Sequence, residues 1–122
     1  MTKPNAMPLR IEMRNRVLTL IVDDPPWNRM TFAYMDALER AVADAATDPE
    51  VRALVFTGEG EDNFSVGMDL KQLMYEPDSH GGTEAILDQR LRVLSMIESL
   101  DKPSIATPYG FCLGGGLELM LA

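Results

Sequence analysis

Apolar residues gather in two short runs near the beginning of the chain, at positions 9–13 and 17–22. The polar triplet 14–16 separates the two runs, and an acidic, proline-containing segment at 23–28 ends the second one. Two short apolar runs joined by a polar turn are typical of a β-hairpin. The pattern therefore predicts a hairpin over residues 9–22.

Two later segments carry apolar residues at helical spacing. The first has Thr31 as a candidate N-cap and ends at positions 48–49, and its apolar residues are Met35, Leu38, Val42 and Ala45. The second begins at Thr83, another candidate cap, and its apolar stripe consists of Leu87, Leu91, Leu94 and Ile97. Residues three or four apart share one face of a helix, so both segments are predicted to be amphipathic helices.

Shorter signals fill the rest of the chain. Residues 52–57 are typical of a strand, 70–74 of a short helix, and 76–82 of a polar loop. An apolar strand candidate at 102–109 leads towards a helix that begins at the glycine triplet 114–116. The order ββ-α-β-α-α-β-α predicts an α/β fold in which strands and helices form separate layers.

The glycine triplet is a junction suited to binding an anion. Glycines let a ligand approach bare backbone N–H groups, which at a helix N-terminus have no intrahelical partner and lie at the positive end of the helix dipole. Glu118 follows the last glycine by two residues. This stretch therefore predicts an anion site with an acid–base group beside it.

A second junction has the same form. The loop 58–63 follows the predicted strand 52–57, and residues 64–70 pass tightly into the short helix. Two such junctions can each direct one backbone N–H at the same oxygen, which is what stabilisation of an enolate or a tetrahedral oxyanion requires.

The two junctions together resemble a known family. The segments FSVGMDL at 64–70 and GFCLGGGLE at 110–118, with VRALVFTG upstream at 51–58, resemble the crotonase (enoyl-CoA hydratase/isomerase) superfamily. The resemblance extends over residues 10–122 and implies a fold in which ββα units stack as a spiral. Subunits of that family are roughly twice as long, so residues 1–122 are expected to form the N-terminal part of one crotonase-like domain, truncated relative to the family.

The resemblance also implies roles for three residues. Met68 and Gly115 would supply the two backbone N–H groups of an oxyanion hole, and Glu118 would be the catalytic carboxylate. Each has an alternative role: Gly115 could serve only close helix packing, Met68 could fill a gap in the core, and Glu118 could interact only with the helix dipole. An acid among the apolar residues 117–121 is expected to be partly buried, which favours a functional role.

Further residues are expected to bind substrate. By resemblance, Trp27, Asn28 and Arg29 lie in the loop that contacts the coenzyme A part of an acyl-CoA thioester, although Arg29 could simply be an exposed loop arginine. The residues expected around the acyl group are Val66, Gly67 and Gly114.

The expected activity is hydration of a 2-enoyl-CoA, because Glu118 matches the hydratase glutamate. Isomerisation or another crotonase-type reaction is an alternative, since the second acid of hydratases would lie beyond residue 122. Acyl-CoA binding without turnover is a further alternative. A serine hydrolase using Ser65 or Ser104 with His80 fits less well, because His80 lies in a polar loop where a solvated residue is expected.

The charge, the apolar runs and the cysteine content of the chain limit the classes of partner and the cellular setting that are expected. The 122-residue chain has a formal net charge of −8, which argues against binding nucleic acid, and it has no apolar run of membrane-spanning length. Residues 1–8 lack the apolar core of a signal peptide, and Cys112 is the single cysteine. A reducing, cytoplasmic setting is therefore expected.

Neither a metal site nor a cofactor is predicted, because coenzyme A is part of the substrate. The resemblance implies a homotrimer or hexamer.

Overall fold

The structure is a computed structural model that describes residues 7–122. Its strands are β1 (Leu9–Arg14), β2 (Val17–Val22), β3 (Arg29–Met30), β4 (Ala53–Gly58), β5 (Gly67–Met68) and β6 (Ser104–Ala106). Its α-helices are α1 (Phe32–Thr47), α2 (Leu70–Tyr75), α3 (Thr83–Glu98) and α4 (Gly115–Leu121). Most of residues 1–8 lie outside the described part, so the signal-peptide prediction is not addressed there.

The predicted hairpin is confirmed. β1 and β2 pair antiparallel from Leu9 opposite Val22 to Arg14 opposite Val17. Asn15 and Arg16 form the two-residue turn with φ of 51° and 66°. Two consecutive residues with positive φ match the twist of a tight hairpin, so the turn fixes the register of the pair.

Four strands form one sheet and two very short strands form another. The larger sheet has the order β1-β2-β4-β6, with β4 parallel to both of its neighbours. The smaller sheet consists of β3 and β5, which pair in parallel. The predicted order ββ-α-β-α-α-β-α was wrong in omitting β3 and β5. Two residues are too few to show the alternation by which a strand is recognised.

Helix α1 begins where the sequence predicts. The Tyr34 N–H donates to Thr31 Oγ1 at 3.1 Å, which satisfies one of the free donors of the first turn. The helix buries the predicted stripe against the sheet, and Leu38 and Val42 are fully enclosed. This confirms the helix, its N-cap and its end before Pro49.

Helix α3 is present, but its cap and its buried face differ from the prediction. Gly82 precedes the helix with φ of 95°, and Thr83 is the first helical residue rather than the cap. Of the predicted stripe, Ile97 is buried and Leu94 packs against the core, whereas 57% of Leu91 is exposed; Ile86 and Val93 are the other buried residues. The helix packs on α1 with a face that precedes the predicted stripe by about one residue, or roughly 100° of rotation.

The segment between α2 and α3 is more ordered than the predicted loop. Asp69 caps α2, accepting from the Lys71 N–H at 3.0 Å, and residues Pro77–His80 form a 3₁₀ turn. The His80 ring lies 4.8 Å from that of Phe32, and its Nε2 lies 2.9 Å from Asp36 Oδ2. His80 is exposed, as predicted for a residue of a polar segment, and its ring also contacts α1. None of the helices within residues 7–122 is long and apolar enough to cross a membrane.

Candidate active site

The pairing of β3 with β5 orients the first candidate donor. Arg29 lies opposite Gly67, Met30 lies opposite Met68, and the Asp69 N–H donates to Met30 O at 3.3 Å. Successive N–H groups of a strand point to opposite sides, so the Met68 N–H is directed away from β3. The side it faces is the one on which α4 begins.

The second candidate donor is the first residue of α4. Gly114 is the N-cap, so the N–H of Gly115 has no acceptor within the helix. A methyl group built on Gly115 would lie 3.6 Å from Met68 N, and one built on Gly67 would lie 2.8 Å from Gly115 N. The two junctions are thus in direct contact, and the second approach is possible only because Gly67 has no side chain.

Ser65 holds the two junctions together. Its hydroxyl donates to Asn28 O at 2.6 Å and accepts from the Gly67 N–H at 3.0 Å. Its backbone bonds to the segment before α4, where the Leu113 N–H donates to Ser65 O at 3.0 Å. Because this hydroxyl is buried and its proton is engaged, Ser65 is not available as a hydrolase nucleophile.

Asn28 does not present its side chain to a substrate, contrary to the prediction. The side chain is fully buried, its Oδ1 accepts from the Asp24 N–H, and its Nδ2 donates to Glu59 O at 2.9 Å and Asn63 O at 2.7 Å. It crosslinks its own loop, 23–28, to the loop 58–63. The prediction rested on the resemblance of the loop 27–29 to the family, which does not distinguish an inward from an outward side chain.

Trp27 lies at the surface beside the site. Its side chain is half exposed and stacks on Phe111, with ring centroids 6.5 Å apart and an angle of 14° between the planes. The pair joins the loop before β3 to the segment before α4. Its predicted contact with coenzyme A stays a prediction.

Arg29 lines the site but is already paired with carboxylates. Its Nε and Nη2 contact the two Asp24 oxygens at 2.7 and 3.1 Å, and its Nη1 lies 3.9 Å from Asp69 Oδ2. The hydrogen bond to Asp24 raises the pKa of this guanidinium. A phosphate at this position would have to compete with two carboxylates for one cation.

A cavity of about 570 Å³ opens between these elements. It is lined by Arg29, Val66, Met68, Asp69, Leu70, Lys71, Leu73, Leu87, Arg90, Gly114, Gly115 and Glu118. The structure thus brings Met68, Gly115 and Glu118 to one cavity, together with Val66 and Gly114. Trp27, Asn28 and Gly67 are not among the lining residues, and Gly67 contacts Gly115 instead.

Glu118 has a cationic partner that the sequence did not indicate. Arg90 Nη2 on α3 lies 3.0 Å from Glu118 Oε2, and the side chains are 23% and 40% exposed respectively. No role was predicted for Arg90 from the sequence. It lies between Ile86 and Val93 on the packing face of α3, and a charge at the i+4 position of an apolar face is the signal that could have identified it.

The surroundings of Tyr109 and Cys112 indicate that these residues stabilise the fold and do not take part in chemistry. The Tyr109 hydroxyl lies 2.7 Å from Gly58 O and 2.8 Å from Gly60 O. Burial, followed by the nearby Glu59, raises its pKa. Burial also raises the pKa of the Cys112 thiol, which disfavours the reactive thiolate. No group of three or more potential metal-ligating side chains occurs within the described range.

Comparison with known proteins identifies the family. The model of the enoyl-CoA hydratase/isomerase family matches residues 12–122. The chain belongs to this family. It is 32% identical over 118 residues to a probable enoyl-CoA hydratase of Bacillus subtilis, covering 97% of this chain and 44% of that protein. It is 34% identical over 116 residues to a carnitinyl-CoA dehydratase of Salmonella enteritidis, covering 93% and 42%.

Solved structures confirm the crotonase-like α/β fold. An enoyl-CoA hydratase/isomerase from Xanthobacter autotrophicus superposes with a TM-score of 0.79 at 27% identity, covering 92% of this chain and 42% of that one. An enoyl-CoA hydratase from Bacillus anthracis gives a TM-score of 0.83 at 24% identity, covering 93% and 44%. The chain spans less than half the length of the curated relatives it matches.

Proposed function

We propose that the full-length protein is an enoyl-CoA hydratase that adds water across the double bond of a 2-enoyl-CoA thioester. The observation that carries the proposal is the contact between two chain junctions, each with a backbone N–H, in the cavity that also holds Glu118. The curated relatives are a hydratase and a dehydratase by name, which supports the same reaction class.

The N–H groups of Met68 and Gly115 would both donate to the thioester oxygen. As water adds to C3, negative charge moves onto this oxygen and an enolate forms. Donors that are fixed before the reaction stabilise this charge more than they stabilise the neutral thioester, and this difference lowers the barrier. The glycines allow the acyl group to approach the backbone at this point.

Glu118 would be the general base. As a carboxylate it accepts one proton from the water molecule whose oxygen bonds to C3. The enolate then takes a proton at C2 from a second acid, which we place in the part of the protein beyond residue 122. Water is thereby added as a hydroxyl at C3 and a hydrogen at C2, without an additional cofactor.

Isomerisation of the double bond is the alternative reaction. The family name includes isomerases, and an enolate held between the same donors is also the intermediate of a proton shift from one carbon to another. A carboxylate at Glu118 could move that proton without any water.

The remaining proposals concern substrate binding and assembly. We propose an acyl-CoA substrate contacted by Trp27, Arg29 and Val66, and a homotrimer or hexamer of the full-length chain. A cytoplasmic setting is supported by Cys112, the single cysteine of these 122 residues, because no disulfide can form within them.

Glu118→Gln in the full-length protein tests the proposal. The amide keeps the size of the side chain but cannot accept the proton, so kcat should fall by about 10²–10⁴-fold while acyl-CoA binding is retained. Loss of the 2-enoyl-CoA absorbance measures hydration, and mass spectrometry of the product distinguishes it from isomerisation. Glu84→Gln is the control, because that carboxylate is exposed in the first turn of α3 and does not line the cavity. A Glu118→Gln enzyme with wild-type kcat would refute the assignment.

A further inference from the structure

We propose that Arg90 is a positioning residue that holds the Glu118 carboxylate in its reactive orientation. The proposal rests on the proposed function, since it assigns Arg90 a role through Glu118. Both side chains line the same cavity as Met68 and Gly115. The ion pair joins the middle of α3 to the first turn of α4 across that cavity.

The surroundings of Arg90 are unfavourable for an arginine without a function. It lies on the packing face of α3 between the buried Ile86 and Val93. Its Nε is buried and has no hydrogen-bond partner among the described residues. Burial of an unsatisfied donor is destabilising, so Arg90 is poorly placed for stability and its Nη2 contact with Glu118 requires another explanation.

Glu118 needs such a partner to remain over the cavity. Its side chain is 40% exposed, so without Arg90 it could rotate towards solvent. The Glu118 backbone is fixed, because its N–H donates to Gly114 O at 3.0 Å, but this bond does not restrain the carboxylate. Restricting a reacting group to one orientation raises the rate without strengthening substrate binding.

Helix packing does not supply the same restraint. α3 packs chiefly on α1, and α4 packs chiefly on β5. The Arg90–Glu118 pair is a link between two elements that are otherwise anchored to different neighbours. Loss of the pair should therefore change the carboxylate more than it changes the fold.

A double-mutant cycle in the full-length enzyme tests the proposal, with Arg90→Gln, Glu118→Gln and the combination. Arg90→Gln should lower kcat by about 10²-fold, as expected for a reacting group displaced by about 1 Å, and should leave KM nearly unchanged. In the Glu118→Gln background the same change should have no further effect on kcat. Arg90→Lys should retain more activity than Arg90→Gln, because it keeps a positive charge.

Arg92→Gln is the matched control. Arg92 lies two residues further along α3, and its ion pair is with Glu39 on α1, outside the cavity. Its kcat and KM should equal those of the parent enzyme. Arg90→Met, which keeps the apolar stem of the side chain, replaces Arg90→Gln if the latter variant melts at a lower temperature.

Several results would overturn the proposal. An equal loss of kcat from Arg90→Gln in both backgrounds would mean that Arg90 acts independently of Glu118. A rise in KM alone would mean that it contacts the substrate. Wild-type kcat in both Arg90→Gln and Arg90→Met, with Glu118→Gln inactive, would refute positioning but retain the proposed function. Wild-type kcat in Glu118→Gln would refute both.

Discussion

Substitution of Gly115 by alanine distinguishes an oxyanion site from a packing requirement. Alanine keeps the backbone N–H of this residue, so its own donor is preserved. The added methyl group would lie 3.6 Å from Met68 N and 3.7 Å from Gly67 Cα, between the two junctions. An oxygen bound to the Met68 N–H must approach to about 2.9 Å, so a methyl group beside that nitrogen obstructs it.

The expected effect on turnover is large. Loss of one oxyanion-hole donor lowers kcat by about 10²–10³-fold, which corresponds to about 2.7–4 kcal/mol. The effect on stability should be small. The methyl group would lie 3.3 Å from Met30 Sδ, at the end of a flexible side chain that can move by a few tenths of an ångström. Alanine also favours helix over glycine by up to about 1 kcal/mol, which offsets this contact.

Gly116→Ala is the matched comparison within the same triplet. A methyl group there would lie 2.5 Å from Ser65 O and 3.0 Å from Ser65 C, and backbone atoms cannot yield as a thioether can. Overpacking of this kind destabilises by about 1–3 kcal/mol. Each kcal/mol lowers Tm by about 2–4 °C in a domain of 150–250 residues, so Gly116→Ala should melt several degrees lower.

Steady-state kinetics on a 2-enoyl-CoA and thermal melting of the full-length variants provide the readouts. Gly115→Ala should have a lower kcat at a nearly unchanged Tm, whereas Gly116→Ala should have a lower Tm. The reasoning is wrong if Gly115→Ala keeps near-parental kcat, because the methyl group would then not obstruct a working donor. It is also wrong if both variants lose Tm equally, since packing alone would then explain the triplet.

Three further predictions concern stability and reactivity. Asn28→Ala should lower the urea midpoint clearly, because each buried backbone group left unpaired destabilises by about 1–3 kcal/mol, whereas Trp27→Ala should change it little. Cys112 should react with iodoacetamide at pH 8 more slowly than a free cysteine, as followed by mass spectrometry, because burial raises its thiol pKa. The hydrogen bond from Arg92 lowers the pKa of the Glu39 carboxyl in the folded protein. The pair therefore stabilises the fold fully at pH values above the carboxyl pKa of the unfolded chain. This stabilisation is lost as the pH falls through the pKa that Glu39 has in the folded protein. The difference in unfolding free energy between parent and Arg92→Gln should therefore shrink from pH 7 to pH 3.

Elements with local signals were predictable from the sequence. The hairpin 9–22 and helix α1 follow from alternation, helical spacing and the Thr31 cap, all of which act between residues close in the chain. The glycine triplet correctly predicted that α4 begins within residues 114–116, because glycines are common where a chain turns into a helix. Short-range chemistry was sufficient in each case.

The short sheet that orients Met68 was not predictable in the same way. β3 and β5 have two residues each, and their pairing depends on Ser65 bonding to Asn28 O from 37 positions away. Nothing in segment 64–70 alone reveals a strand. The family resemblance assigned a donor to Met68, but the reason its N–H turns away from β3 lies in this long-range pairing.

The role of a charged residue at the cavity depends on the residue it pairs with, which its type alone does not reveal. By resemblance Arg29 was expected in the loop that contacts coenzyme A, with an exposed loop arginine as the alternative, whereas in the structure Asp24 accepts two hydrogen bonds from it. Arg90 faces Glu118 in the same way. Since each arginine lining the cavity already faces a carboxylate, neither offers an uncompensated charge to a developing enolate. Lys71, the other cation that lines the cavity, is exposed to solvent. We therefore expect an enolate here to be stabilised by neutral backbone donors, whose effect depends on their position and survives high salt better than that of a surface charge.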